Sequence, residues 1–198
     1  MKKLKSTWYN MAIVLTAIAV VAGAALGYVN DITKGPIETI KAQQLADGIG
    51  EVLSAKGLEV PKAEVTEAGA TIYRTEQGTA VQVTDPKGFG GNLTVLVGFN
   101  ETGQVLGYRV MESSETPGLG AKAQDWFQKG QKGDIIGKQA GELTVSKDGG
   151  EVDAITASTI TSRAFLRCIN AAYKALSVSY SDGQSGASSQ TGKTSNNI

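Results

Sequence analysis

Apolar positions run without a charged side chain from Trp8 to Val29, WYNMAIVLTAIAVVAGAALGYV. About 22 residues at about 1.5 Å per residue reach about 33 Å, enough for a helix to cross a hydrocarbon core. Trp8 and Tyr9 at one end and Tyr28 at the other suit the two interfaces. A cleaved signal peptide is the rival reading, because Ala22-Gly23-Ala24 resembles a small-residue cleavage site. Cleavable apolar stretches are ordinarily shorter, about 7–15 residues.

The period then changes several times. Over 33–55, Ile37, Ile40, Leu45, Ile49, Val52 and Leu53 recur at spacings of three and four, which predicts an amphipathic helix docked on its own domain. Pro36 suits its first turn, and Gly48 and Gly50 predict a break. Alternating runs at 71–75 and 79–85 flank Glu76-Gln77-Gly78, and runs at 92–100 and 104–112 flank Glu101-Thr102-Gly103; both pairs read as hairpins. DPKGFGG, 85–91, is a loop by composition. LTVSKDGGEVDAIT, 143–156, reads as a third hairpin: a further strand, a Gly-Gly turn and a return strand. From Ile160, the positions Ala164, Cys168, Ala172 and Leu176 fall four apart, predicting a helix that starts close to Thr161 and buries Cys168. The remaining 177–198 is small and polar and predicts a disordered tail. Its G-ASSQT-GKT segment from Gly186 mimics a phosphate-binding loop, but has one residue too many and neither strand nor helix around it.

These elements sum to an α+β fold of antiparallel hairpins with packed helices, preceded by one N-terminal transmembrane helix. The expected organisation is a cytoplasmic N-terminus at 1–7, the span at 8–29, one exported domain at 30–176, and the tail.

Charge adds orientation. The chain has 19 basic and 19 acidic residues. Lys2, Lys3 and Lys5 all precede the first acidic residue, Asp31, so they predict a cytoplasmic start and an exported, formally acidic remainder. Nothing resembles the basic patch of a nucleic-acid binder. There is no histidine and one cysteine, which removes histidine acid–base catalysis, an internal disulfide and most zinc sites.

Two loops remain as candidate chemistry. SSETPGLGAK, 113–122, carries Pro117, Gly118 and Gly120 and suits either a tight turn or a close backbone approach to a flat ligand. DAITASTITSRAFLRC, from Asp153, places five hydroxyls, Thr156, Ser158, Thr159, Thr161 and Ser162, at a helix start. One hydroxyl suffices for a cap. A helix start also offers free N–H groups to a phosphate. No local base activates any of these hydroxyls. A hydrolase using Ser158 and a distant lysine, or a plain anchored binding module, stay open on the residues alone.

The N-terminal span, ETPGLGAK at 115–122 and DAITASTITSRAFLRCIN at 153–170 together resemble the G subunit of the Rnf electron-transport complex. They are also similar to the C subunit of the sodium-pumping NADH:quinone reductase, whose chain is typically longer. The resemblance implies a periplasmic FMN-binding domain on the bacterial inner membrane. It further implies a redox component, not catalytic alone, that relays electrons between reduced ferredoxin and NAD in an ion-translocating complex with other membrane subunits. In that family the attachment loop reads S/T-G-A-T, and a separate flavin transferase joins FMN to the last threonine through a phosphoester. The matching residue is Thr159; the family's glycine and alanine stand here as Ala157 and Ser158. Thr156, Ser158 and Thr161 would bind phosphate oxygens or cap the helix, and Glu115, Thr116, Gly118 and Leu119 would line the isoalloxazine. No metal is implied.

Overall fold

A computed structural model describes residues 8–55, 61–66 and 69–186 of the protein, with side chains to 181. The expected cytoplasmic stretch at 1–7 and the phosphate-loop mimic after Gly186 lie outside the described residues.

Helix α1 runs without interruption over Trp8–Val52. Its apolar segment reaches a mean hydropathy of 2.3 over 18 residues, none of it buried, so it is long and apolar enough to cross a membrane. The helix expected at 33–55 is the continuation of this one. Pro36 therefore stands inside a helix and not in a first turn. Gly48 and Gly50 do not break it either. A Cβ at Gly48 would press on the Leu96 side chain at 3.1 Å, so this glycine serves close packing. Gly50 serves the helix end: Ala55 N–H donates to the Gly50 carbonyl at 2.8 Å and Ser54 N–H to the Glu51 carbonyl at 3.2 Å. With Ser54 at φ 54°, this is a Schellman-type stop. The expected docking is confined to this end, where Ile49, Val52 and Leu53 are buried; Ile37 and Ile40 are exposed.

The five strands are β1 (Ala63–Val65), β2 (Thr71–Thr75), β3 (Gly78–Asp85), β4 (Leu93–Phe99) and β5 (Val105–Ser113). They form one antiparallel sheet in sequence order. Both expected hairpins are present. Thr75 pairs with Gly78 across the first turn, and Phe99 with Val105 across the second. The second turn is held by the Asn100 side chain, which accepts from Thr102 and Gln104 N–H at 3.0 and 2.9 Å. β1, three exposed residues long, has no counterpart among the expected strands.

Every residue of β4 is buried, because it has a strand on either side and is covered on both faces. On one face Ile72, Val81, Val95, Val97 and Phe99 meet helix α3 (Thr159–Gly186), through Phe165, Ile169 and Ala172. Phe165 stacks on Phe127 at 4.3 Å and meets the edge of Tyr108 at 4.7 Å. The Tyr108 hydroxyl donates to the Ala123 carbonyl at 2.8 Å, which fixes the short helix α2 (Ala123–Trp126) under the sheet. On the other face Tyr73, Ala80 and Leu96 pack against Ile49, Val52 and Leu53. Gly98 and Gly107, paired across β4 and β5, lie beneath this helix end. A Cβ on Gly98 would collide with the Val52 carbonyl, and one on Gly107 would stand 3.0 Å from it.

The third hairpin is not formed. Val145 and Val152 are buried as the alternation requires, but they make a single parallel bridge, and Ser146–Asp148 is a helical turn of 3-10 type. Both the backbone N–H and the hydroxyl of Ser146 use the Val152 carbonyl, at 2.8 and 3.0 Å, so the segment closes on itself instead of extending a ladder. The expected tail also starts differently, since α3 continues through Gly186. Arg74 explains part of this. Its guanidinium donates to Ser179 and lies over the Tyr180 ring at 5.1 Å, tying residues past 177 to β2.

Candidate functional site

Three segments converge at one end of the sheet: the loop after β3, the loop after β5, and the first turn of α3. The loop after β3 is anchored by Asp85. Its carboxylate accepts from Arg167 of α3 at 2.6 Å and from Lys87 N–H at 2.7 Å. Arg167 also donates to the Lys87 carbonyl at 3.2 Å, so the Gly-rich turn that follows starts from a fixed point.

The loop after β5 is built around Glu115. The residue is only 8% exposed, and both of its carboxylate oxygens are engaged. Oε1 accepts from Phe89 N–H at 2.8 Å and Oε2 from the Thr161 hydroxyl at 2.9 Å. One side chain thereby joins all three segments. Gly120 closes over it, since a Cβ there would stand 2.5 Å from Glu115 Oε2 and 2.7 Å from Thr161 Oγ1. Gly118 takes φ 78°, the left-handed conformation that glycine favours.

Three of the five hydroxyls at the start of α3 have separate hydrogen-bonding tasks. Ser162, fully buried, accepts from Ile155 N–H at 2.9 Å and donates to the Ser158 carbonyl at 2.9 Å, which shapes the turn before the helix. Thr161 donates to Glu115. Ser158 is buried, Thr156 exposed and Thr159 half-buried. Thr159 Oγ1 accepts a hydrogen bond from Lys147 Nζ at 3.2 Å. Ala157 has φ 61°, the left-handed region that a Cβ disfavours. A glycine at this position would hold the same conformation without strain.

Lys147 belongs to the helical turn that replaces the expected hairpin. Its neighbours on both sides are tied down. Arg163 donates two hydrogen bonds to Asp148, each at 2.7 Å, and Ser146 donates to Asp153 at 3.0 Å. The Arg163 hydrogen bonds hold the Asp148 carboxyl below the ordinary carboxylate range. Burial, and then the charge of Asp85, push the Cys168 thiol up to about 12, which suits a core residue and not a nucleophile.

Between these segments lies a cleft of about 310 Å³, lined by Phe89, Glu115, Thr116, Leu119, Gly120, Ala157, Ser158, Thr159, Ile160 and Thr161. Of the residues expected from the sequence, Gly118 and Thr156 are not on its lining. Phe89, Gly120, Ile160 and the adjacent Lys147 are additions to the expected set. Phe89 has a signal in the sequence, a lone aromatic inside a glycine-rich loop. Lys147 has none, because its approach to Thr159 depends on a turn that the residue pattern misrepresents. Phe89, Leu119 and Ile160 are exposed apolar side chains around one opening, 69%, 41% and 50% exposed. Such a group fits a flat, partly apolar ring. The free N–H groups at the start of a long helix, with Lys147 beside Thr159, fit a phosphate. The residues at the cleft therefore suit both the ring and the phosphate of an FMN. A larger hollow of about 880 Å³, between residues 139–151 and the middle of α3, is lined by none of the expected site residues and lies away from the helix start.

Residues 88–174 match the model of the FMN-binding domain family. A similar protein is the G subunit of the ion-translocating oxidoreductase complex of Shewanella piezotolerans, 27% identical over 192 residues, covering 85% of this chain and 89% of that protein. The G subunit of the Na(+)-translocating ferredoxin:NAD(+) oxidoreductase complex of Acetobacterium woodii is 31% identical over 197 residues, covering 85% and 93%. Over a shorter stretch, the corresponding protein of Erwinia tasmaniensis is 39% identical over 94 residues, covering 46% and 45%.

Proposed function

From the premise that the chain belongs to the family of G subunits of ion-translocating oxidoreductase complexes, we propose that it is a membrane-anchored flavoprotein relaying electrons through an FMN esterified to Thr159. FMN supplies the redox chemistry when bound, by accepting and passing on electrons. The chain supplies attachment, orientation and exclusion of water. Phe89, Leu119 and Ile160 would cover the ring system. The first turn of α3 would hold the phosphate. Glu115 would act behind the cleft, by fixing Phe89 and Thr161.

The observation that carries this reading is the setting of Thr159. Ser158 and Thr159 both line the cleft at the start of a 28-residue helix, but only the Thr159 hydroxyl is contacted by a lysine, and Ser158 is the more buried of the two. The same contrast disfavours a hydrolase built on Ser158, since the lysine addresses the other hydroxyl. A phosphoester cannot form from FMN without activation. Thr159 Oγ would attack the phosphorus of a flavin-bearing phosphoric anhydride held by a transferase. The Oγ–P bond forms, the anhydride P–O bond breaks, the nucleotide half leaves with the bridging oxygen, and the hydroxyl proton goes to solvent.

The partners would be the other membrane proteins of such a complex, with electrons passing between ferredoxin and NAD. The N-terminal lysines favour a cytoplasmic start and hence a periplasmic domain.

The test is intact mass and in-gel flavin fluorescence of chain matured with the transferase, outside the cytoplasm. Wild type should carry one FMN, mapped to the peptide containing Thr159, and Thr159→Ala should be colourless after denaturation. Flavin retained covalently by Thr159→Ala would overturn the assignment.

A further inference from the structure

We propose that Lys147 is the cation that receives the phosphate at Thr159, and that the turn Ser146–Asp148 exists to aim it. This rests on the covalent reading above and adds a residue to it. Lys147 Nζ stands 3.2 Å from Thr159 Oγ1, the atom to be esterified. The other two basic side chains on the first turns of α3 are committed elsewhere: Arg163 to Asp148, Arg167 to Asp85. Among the described residues Lys147 has no carboxylate within 4.0 Å.

The lysine is also held in place from both sides. Asp148 is clamped by Arg163, and Ser146 is hydrogen-bonded to Asp153 and to the Val152 carbonyl. Asp153 in turn receives the Trp126 indole N–H on its carbonyl at 2.8 Å. With the backbone fixed on both sides, the contact has only the rotamers of the lysine side chain itself left to order.

In the transfer to Thr159, negative charge builds on the phosphoryl oxygens while the Oγ–P bond forms. An ammonium group already touching Oγ lies where that charge appears, and needs no rearrangement to meet it. After transfer, the phosphoester keeps one negative charge beside the same ammonium. The free N–H groups of the first turn of α3 add to this attraction.

The test compares full-length wild type, Lys147→Gln, Lys147→Arg and Thr159→Ala as substrates for a flavin transferase and a flavin dinucleotide. The readout is the initial rate of FMN incorporation as the chain concentration is varied, repeated at two salt concentrations. A charge-assisted contact at an exposed site predicts that Lys147→Gln lowers kcat by about five- to tenfold at low salt. KM for the chain should be unchanged, Lys147→Arg should recover most of kcat, and the Gln variant should be less sensitive to salt than wild type. Equal kcat for Lys147→Gln and wild type overturns the proposal. So does a change confined to KM, which would make Lys147 a docking residue for the transferase. A wild-type chain labelled away from Thr159 overturns the covalent assignment and this inference with it; a labelled Thr159 with an indifferent Lys147 removes this inference alone.

Discussion

Glu115→Ala tests how the cleft is assembled. The carboxylate is nearly buried, accepts from Phe89 N–H at 2.8 Å and from Thr161 at 2.9 Å, and so links three segments. A hydrogen bond to a charged group contributes about 1.5–3 kcal/mol. Phe89 lies on an exposed loop, so its N–H finds water once the carboxylate is gone. Thr161 is 1% exposed, so its hydroxyl does not. One bond at full value and one discounted give a loss of about 3 kcal/mol. For a chain of this size that lowers the thermal midpoint by about 6–12 °C. Glu115→Gln separates shape from charge: its amide oxygen accepts from Phe89 and its NH₂ donates to Thr161, whose hydroxyl then turns. It should lose about 1 kcal/mol, or about 2–4 °C. The assay is thermal unfolding of the full chain in detergent, followed by tryptophan fluorescence. An alanine variant within about 2 °C of wild type, or a glutamine variant as damaged as the alanine one, would refute the account of Glu115 as a structural clamp (both thresholds follow from the scaling above).

Three further outcomes follow from the same geometry. Ala157→Gly relieves a left-handed φ of 61° and should stabilise by about 0.5–1 kcal/mol after the added freedom of the unfolded chain, seen as a midpoint higher by about 1–4 °C. Asp148 is held below its ordinary value of 3.8 by Arg163, so its contribution is complete above that value and disappears as pH falls through the lowered folded value; amide exchange at 146–150, corrected for intrinsic rates, should accelerate below about pH 4 in wild type and be fast throughout in Asp148→Asn. The Cys168 thiol, buried and pushed up to about 12, should resist maleimide at about pH 8 in the native chain and react at the rate of unfolding; prompt native labelling would contradict its placement in the core.

The membrane-length helix, both long hairpins and the core stripe of α3 were legible in the residue pattern. Each repeats its period long enough for burial of one face to decide the structure. The loops carrying Glu115, Leu119 and Thr159 stood out as candidate chemistry from their residues, but only resemblance to a family joined them in one site, since no spacing rule links two loops so far apart in the chain. What failed did so for local reasons. Val145 and Val152 alternate as a hairpin would, but the hydrogen bonds of Ser146 fold the chain between them into a turn. Gly48 and Gly50 read as breakers because their actual tasks, close packing and helix termination, depend on partners in β4 and at Ala55. β1 is three residues long, too short for its Ala-Glu-Val alternation to establish a period.

The bare backbone at Gly98 and Gly107 determines where a water-soluble fragment has to begin. Ile49, Val52 and Leu53 lie on that floor and are as much a part of the globular unit as any strand, although they belong to the same helix as the apolar span. Truncation after residue 55 would strip them away and leave Tyr73, Ala80 and Leu96 facing solvent, inviting aggregation. A cut ahead of Leu45 keeps the floor covered, and removes the lipid-seeking segment without dismantling the sheet.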